Sequence, residues 1–220
     1  MIEVLAVRTA RVIIHFPTDE LNPKGLALLP DITTALVERY GFLVYPQKPE
    51  DYDSQKGISF EMGKWNKTGI GRLAIYDTGV LVDTGSSTDD SEAILKDALT
   101  WAAEMFGLAL RPDWFNRRVY LSELVIKRER PLTGVNPALE ALAAKMSKRV
   151  GEIMDLTLPY EVVAVSFGFD PFLTKNAMAG FRIERLGDVR FSENRYYTSA
   201  NLPTSEHVEF LNEFEAAIQG

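Results

Sequence analysis

The order of strand-like and helix-like segments in the first half of the chain returns in the second half, and this repetition constrains the fold most. Each half begins with an alternating segment, continues with an amphipathic helix and three further strands, and ends with a second helix. The predicted strands are residues 3–16, 58–64, 70–76, 80–84, 117–128, 160–168, 179–186 and 189–197, and the predicted helices are residues 28–40, 89–106, 136–150 and 204–218. Short turns between the later strands favour antiparallel hairpins, so we predict an α+β fold.

The two halves also align at the level of residues. Residues 71–82 lie over residues 180–191 without a gap. We therefore predict an internal duplication, with 1–108 as the first repeat and 109–220 as the second. The alternative is two unrelated α+β halves whose elements happen to share an order.

Alternation along the predicted strands divides their side chains between a helix-covered face and an open face. The face expected to pack on the helices carries Leu73, Ile75, Val80, Val82, Ile183, Val189 and Phe191, with Leu95, Leu99, Trp101 and Phe106 on the helix that covers it. The open face is expected to carry Arg72, Tyr76, Leu81, Asp83, Arg182, Glu184, Arg190 and Ser192. This open face is mixed and charged.

The tripeptide Asp-Thr-Gly occurs twice, at residues 77–79 and 83–85, and the second copy resembles the catalytic loop of an aspartic protease. Such enzymes need two carboxylates that share one proton, one from each of two lobes. Here both copies belong to one predicted hairpin, the second is followed by a helix start, and the matching place in the second half has no copy. A carboxylate-based hydrolase is therefore the third and weakest hypothesis.

Residues 72–108 resemble one repeat of the TATA-box-binding protein family. The resemblance rests on a hairpin with a glycine turn, a strand that ends in Thr-Gly, a Ser/acidic helix start and an aromatic-Gly helix end, here Gly79, Val80, Val82, Thr84, Gly85, Asp89, Ser91 and Phe106-Gly107. It implies a duplicated fold with one curved antiparallel sheet, helices on one face and an open concave face. In this family the concave face binds the DNA minor groove, but the fold alone does not carry that function.

Composition narrows the function classes. The chain has no Cys and only two histidines, His15 and His207, so thiolate chemistry and multi-histidine metal sites are excluded. We expect no metal and no cofactor, since no nucleotide-binding or zinc motif is present. The net charge of −7 lacks the basic balance typical of nucleic-acid-binding proteins. The sequence shows neither an apolar run long enough for a membrane span nor a leader, so we expect a cytoplasmic protein.

A local basic strip is the first candidate binding surface. Strand segments 117–130 and 180–197 hold nine Lys/Arg residues against five Asp/Glu residues. We name Arg182, Arg190 and Arg195 as contacts with a partner, with Arg72 and Tyr197 beside them; such a strip could hold phosphates or stack a base. The alternative is that Arg and Glu alternate as cross-strand ion pairs on a solvated sheet face.

Two aromatic residues at predicted hairpin tips are the second candidate. Trp65 and Phe172 lie in turns between the second and third strands of each half. Exposed aromatic side chains on loop tips are typical of partner contacts. The alternative is that each folds back against the end of the sheet.

These features predict a non-enzymatic binding or adaptor protein that holds a protein partner, for example within a nucleic-acid-handling complex. Direct nucleic-acid binding through the Arg-rich second half is the alternative hypothesis. We expect no membrane partner.

Overall fold

A computed structural model of the chain describes residues 2–173, 178 and 180–218. Residues 174–177, which follow Phe172 in the predicted tip, and residue 179, the first of a predicted strand, lie outside the described residues. In the described part the fold is α+β, and its strands form one antiparallel sheet, which confirms the predicted fold class at that level.

Eight strands and four helices make up the described part of the chain. The strands are β1 (Glu3–His15), β2 (Ile58–Trp65), β3 (Thr68–Tyr76), β4 (Gly79–Thr84), β5 (Arg118–Lys127), β6 (Ala164–Phe167), β7 (Phe181–Arg185) and β8 (Arg195–Ala200). The helices are α1 (Leu29–Tyr40), α2 (Thr88–Phe106), α3 (Pro137–Met154) and α4 (Thr204–Ala217). The strands are hydrogen-bonded in the order β2-β3-β4-β1-β5-β8-β7-β6.

The chain divides into two compact units. The N-terminal unit comprises Val7–Ser122 with Asn201–Ser205, and the C-terminal unit comprises Met1–Ala6, Glu123–Ala200 and Glu206–Gly220. These units are groups of residues that pack together. The predicted division into two repeats at residue 108 is a different claim, about duplication of the sequence, and it stays a prediction.

The N-terminal unit is built around the hairpin of β3 and β4 and the helix α2. The hairpin turns at Asp77-Thr78, and β4 pairs with β1 on its other side. Helix α2 begins after Ser87, whose side-chain hydroxyl accepts the N–H of Asp90, and it ends at Gly107 with φ of 64°. Local start and stop signals thus place this helix where the sequence predicted it.

The predicted helix-covered face is confirmed in this unit. Leu73, Val80 and Val82 on the strands are buried in one cluster with Leu95 and Leu99 of α2. Trp101 and Ile75 are partly buried against the same cluster, and Phe106 meets Trp101 edge-on.

Leu81 does not lie on an open face as predicted. It is buried, opposite Ile13 in β1 and Ala74 in β3, and Ala74 is buried too. Its cross-strand neighbours flank it on both sides. Strand alternation alone could not have revealed that this second face also buries residues.

The C-terminal unit packs α4 on β7 and β6 through aromatic rings. Phe181 contacts Phe210 and Phe214 of α4 with ring centroids 4.9 and 6.1 Å apart, and it stacks on Phe167 of β6. Ile183 and Leu211 are buried beneath them. This aromatic cluster packs β6, the last strand in the sheet order, against α4.

The predicted strand 189–197 is wrong in its first half. Residues Phe191–Glu193 form a 3-10 turn, Asn194 has φ of 50°, and β8 begins only at Arg195. Phe191 is exposed, so it does not match the buried Val82 in the proposed register. The turn residues Asn194 and Gly187 interrupt the alternation on which the prediction relied.

Helix α3 does not end at residue 150, before Gly151, as predicted but continues to Met154. A Cβ added at Gly151 would meet the carbonyl oxygen of Leu156 at 3.1 Å. The glycine therefore admits the returning chain close to the helix, and the left-handed Asp155 ends α3 instead.

Candidate binding surfaces

The structure distributes the predicted contact residues between the two units. Arg72 and Trp65 lie in the N-terminal unit. Arg182, Arg190, Arg195, Tyr197 and Phe172 lie in the C-terminal unit.

Acidic neighbours pair with most of the predicted arginine contacts of the C-terminal unit. Arg182 pairs with Glu184, and Arg195 pairs with Glu193 at 3.2 Å. Each pair joins residues two apart in sequence rather than residues on different strands. Arg190 forms no ion pair with any residue that the structure describes, and it is exposed. The strip therefore presents less free positive charge than the count of Lys/Arg residues indicated, although these pairs are not the cross-strand pairs of the alternative.

Arg128 was counted in the basic strip, and this was wrong. Only 2% of the residue is exposed, and its Nε donates to Glu215 of α4 at 2.7 Å. Its guanidinium lies over the rings of Tyr196 and Phe214, 5.5 and 5.7 Å from their centroids. Arg128 is a core residue of the C-terminal unit, and its charge is compensated inside.

Tyr197 is hydrogen-bonded to a glutamate, so its ring is not free to stack on a base. Its hydroxyl donates to Glu123 Oε1 at 2.5 Å. Burial, strengthened by that hydrogen bond, raises the pKa of Tyr197 to about 12. The phenol therefore stays protonated and fixed at neutral pH.

Arg72 lies in a row of alternating charges across the N-terminal unit. The strand register sets Glu61 opposite Arg72, Arg72 opposite Asp83, and Asp83 opposite Arg11. Arg11 binds Asp83 through two bonds of 2.6 and 2.7 Å, and Arg72 donates to the Ser59 hydroxyl at 2.8 Å. The row carries no net charge and its residues are half-buried, so it is typical of charges balanced across neighbouring strands.

The two hairpin-tip aromatics differ. Trp65 is partly buried against the core cluster of the N-terminal unit, as the fold-back alternative expects. Phe172 is 95% exposed. Phe172 alone retains the geometry of a tip contact.

The two Asp-Thr-Gly copies lie at opposite ends of β4. Asp77 is in the turn before β4, and Asp83 is near the end of β4 in its two-bond pair with Arg11. At about 3.3 Å per residue, β4 from Gly79 to Asp83 alone extends roughly 13 Å, and Asp77 lies in the turn before it. The copies cannot share a proton, so this geometry gives no support to the hydrolase hypothesis.

Helix α3 carries a surface that the sequence analysis did not single out. None of its 18 residues, all of which the structure describes, is buried. Leu139, Leu142, Met146 and Ile153 lie along one side of the helix, and all four are exposed, Leu142 by 58% and Ile153 by 83%. We call these four residues the α3 stripe. The helical spacing was visible in the sequence, but it predicted a helix packed on the sheet.

Basic residues flank the α3 stripe on one side. Lys145 and Arg149 lie three or four positions from Leu142, Met146 and Ile153, which places them next to the stripe. The opposite side of the helix faces residues 156–162, where the Tyr160 N–H donates to the Ser147 hydroxyl at 2.8 Å. The chain thus covers the small-residue side of α3 and leaves the stripe open.

Among the described residues, no helix is both long enough and apolar enough to cross a bilayer. No cluster of three or more His, Asp or Glu side chains in this part of the chain is arranged to hold a metal ion.

The chain was also compared with known proteins. Neither a scan against protein-family models nor a search of curated proteins found a match.

Proposed function

We propose that the chain is a non-enzymatic binding protein that holds a protein partner on the α3 stripe of the C-terminal unit. The observation that carries the proposal is an amphipathic 18-residue helix without a buried residue. An amphipathic helix in a folded unit normally buries its apolar side. Here that side is left for another molecule.

The apolar area of the stripe is large enough to drive association. A Leu, Ile or Met side chain contributes about 1.5–3 kcal/mol when it is fully buried, and roughly half of that burial remains to be gained at each stripe position. Phe172 and Leu173 add exposed apolar area in the same unit. Apolar patches of this kind on a soluble protein mark interaction sites.

The flanking charges define the chemistry of the partner. Lys145 and Arg149 border the stripe, in a chain whose net charge is −7. An apolar segment with acidic flanks complements this surface, and a basic one does not. We therefore infer an amphipathic, acidic partner segment.

Two model helical peptides with one leucine stripe test this proposal, one flanked by Glu and the other by Lys. By fluorescence anisotropy we expect the full chain to bind the Glu peptide more tightly, with an affinity that falls as salt rises. Met146→Glu should weaken binding of the Glu peptide at least tenfold, because it sets a like charge against the acidic flanks and removes apolar contact. The matched control Ala141→Glu, on the far side of the same helix, should change it less than twofold.

Equal binding by Met146→Glu and the parent chain would overturn the proposal, as would preference for the Lys peptide. Sedimentation equilibrium of the parent chain covers another outcome. A dimer that Met146→Glu dissociates would show that the stripe binds a second copy rather than an acidic partner.

Direct nucleic-acid binding through the basic strip is tested separately on heparin. Because Arg182 and Arg195 are ion-paired, we expect the chain to elute at or below physiological salt. Firm retention that Arg190→Glu/Arg195→Glu abolishes would favour the nucleic-acid alternative instead. The same double change should leave binding of the Glu peptide unaltered.

We further propose that the chain is an internal duplication with the curved sheet of the TATA-box-binding protein family. The element order supports it: β1-α1-β2-β3-β4-α2 is followed by β5-α3-β6-β7-β8-α4. The strand order also reads the same from either end when β1–β4 are matched to β5–β8. In an experimental structure, failure of the two six-element halves to superpose would contradict the duplication.

A further inference from the structure

The N-terminal unit contains a cavity of about 580 Å³ between its helices and the buried side of the sheet. Its walls are mostly aliphatic and include Leu36 of α1, Leu99 of α2, and Leu73 and Val80 of the hairpin. These side chains also belong to the core cluster of the unit. The cavity therefore reaches from the solvent-exposed surface into the core cluster.

A space of this size is unusual for a packed core. Protein interiors have few voids larger than one water molecule, whereas this cavity, which opens to solvent on one side, is many times larger than one water. Aliphatic walls offer water molecules few partners, so water fills the cavity poorly. The volume lies within the range of small-molecule sites, which are likewise apolar with a few polar groups.

Polar residues are gathered at one side of this cavity, and backbone hydrogen bonds fix them there. The Thr18 N–H donates to the Asp77 carbonyl at 2.9 Å, and the Asp77 N–H donates to the Ser54 carbonyl at 3.1 Å. Asp19, Asp77 and Ser54 all line the cavity, and both aspartates are exposed to solvent. The polar groups thus form a mouth between the aliphatic walls and water.

The mouth carries uncompensated negative charge. The carboxylates of Asp19 and Asp77 form no ion pair with any residue in the described part of the chain. Asn22, another polar residue of the lining, is already satisfied because its side chain exchanges two hydrogen bonds with the backbone of Ala27. A ligand that complements the whole site is apolar at one end and positively charged at the other.

We propose that this cavity binds a small cationic amphiphile, with its apolar body between α1, α2 and the hairpin and its ammonium group at Asp19 and Asp77. The apolar walls supply the affinity, and the two carboxylates select the charge of the head group. This site lies wholly within the N-terminal unit and does not depend on the α3 stripe.

Three probes of equal chain length test the site: octylamine, octanol and octanoate, titrated into the full chain. Binding is followed by methyl NMR shifts of Leu36, Leu73 and Leu99 and by calorimetry. We expect all observed shifts to be centred on these leucines, with affinity in the order amine, alcohol, carboxylate. The absence of shifts with every probe, or octanoate binding as tightly as octylamine, would overturn the proposal.

Variants of the two aspartates test the contribution of the charged head group to binding separately from that of the apolar body. Asp19→Asn/Asp77→Asn should lower octylamine affinity about fivefold to tenfold, and it should leave octanol unchanged because these are exposed charge contacts. The charge-matched control Asp89→Asn/Glu104→Gln, exposed elsewhere in the same unit, should leave all three affinities unchanged. Equal loss in both double variants would mean that only overall charge matters and would contradict the site.

Filling the cavity gives an independent check. Ala102 lines the cavity on α2, and Ala102→Phe should weaken octylamine and octanol alike by at least tenfold. If Ala102→Phe does not fold, the leucine shifts and the aspartate variants still decide the proposal. A folded Ala102→Phe that binds octanol as the parent does would place the ligand elsewhere.

Discussion

Replacing Glu215 by Gln is expected to lower the free energy of unfolding by about 3–5 kcal/mol, the largest effect of any polar substitution in the chain. Glu215 is the ion-pair partner of Arg128, at 2.7 Å, and both side chains are almost fully inaccessible to solvent. Nη1 and Nη2 of Arg128 have no hydrogen-bond partner among the described residues. In the variant, the buried guanidinium charge keeps at most a neutral amide acceptor and its aromatic contacts, and no negative charge compensates it. Urea denaturation followed by circular dichroism measures the loss.

The double variant Arg128→Met/Glu215→Leu is the control for this prediction. It removes both charges and keeps apolar volume between Tyr196 and Phe214, so we expect most of the lost stability to return. A double variant as unstable as Glu215→Gln would show that packing, rather than the uncompensated charge, sets the cost. A loss below about 1 kcal/mol in Glu215→Gln would show that the pair is not buried in solution.

Truncating Leu95 to Ala is expected to cost about 3–5 kcal/mol, and truncating Leu99 about 2–3 kcal/mol. Both leucines lie on the sheet-facing side of α2, Leu95 fully buried and Leu99 7% exposed. Leu99 lines the cavity of the N-terminal unit, so it has fewer packed neighbours to lose than Leu95. Urea denaturation monitored by tryptophan fluorescence compares the two variants under one set of conditions.

Two results would contradict this order of effects. A cost below about 1 kcal/mol for Leu99→Ala would place that side chain at the surface and overturn the assignment of the α2 face. A larger cost for Leu99→Ala than for Leu95→Ala would show that the cavity is closed around Leu99 in solution. The exposed neighbour Met105→Ala on the same helix serves as the reference and should change stability by less than about 0.5 kcal/mol.

Sequence alone determined the elements whose signals are local. The N-terminal boundary of α2 follows from the Ser87 side-chain cap and its C-terminal boundary from Gly107, and the β3–β4 hairpin follows from Asp77-Thr78-Gly79. Each signal acts within a few residues of the structure that it specifies. The α+β class follows in turn, because alternating and helical periods differ and their order can be read directly.

Tertiary structure alone decided which apolar and charged side chains are covered. Sequence signals predicted α3 as a helix but not that the chain leaves its apolar side exposed, since covering a helix depends on where distant segments run. Charge counting placed Arg128 on a basic strip, but its partner is 87 residues away in sequence. The cavity beside Asp77 likewise joins α1, α2 and the hairpin, which only the fold brings together. Long-range packing decides burial, and burial decides whether a residue stabilises the protein or is free to bind.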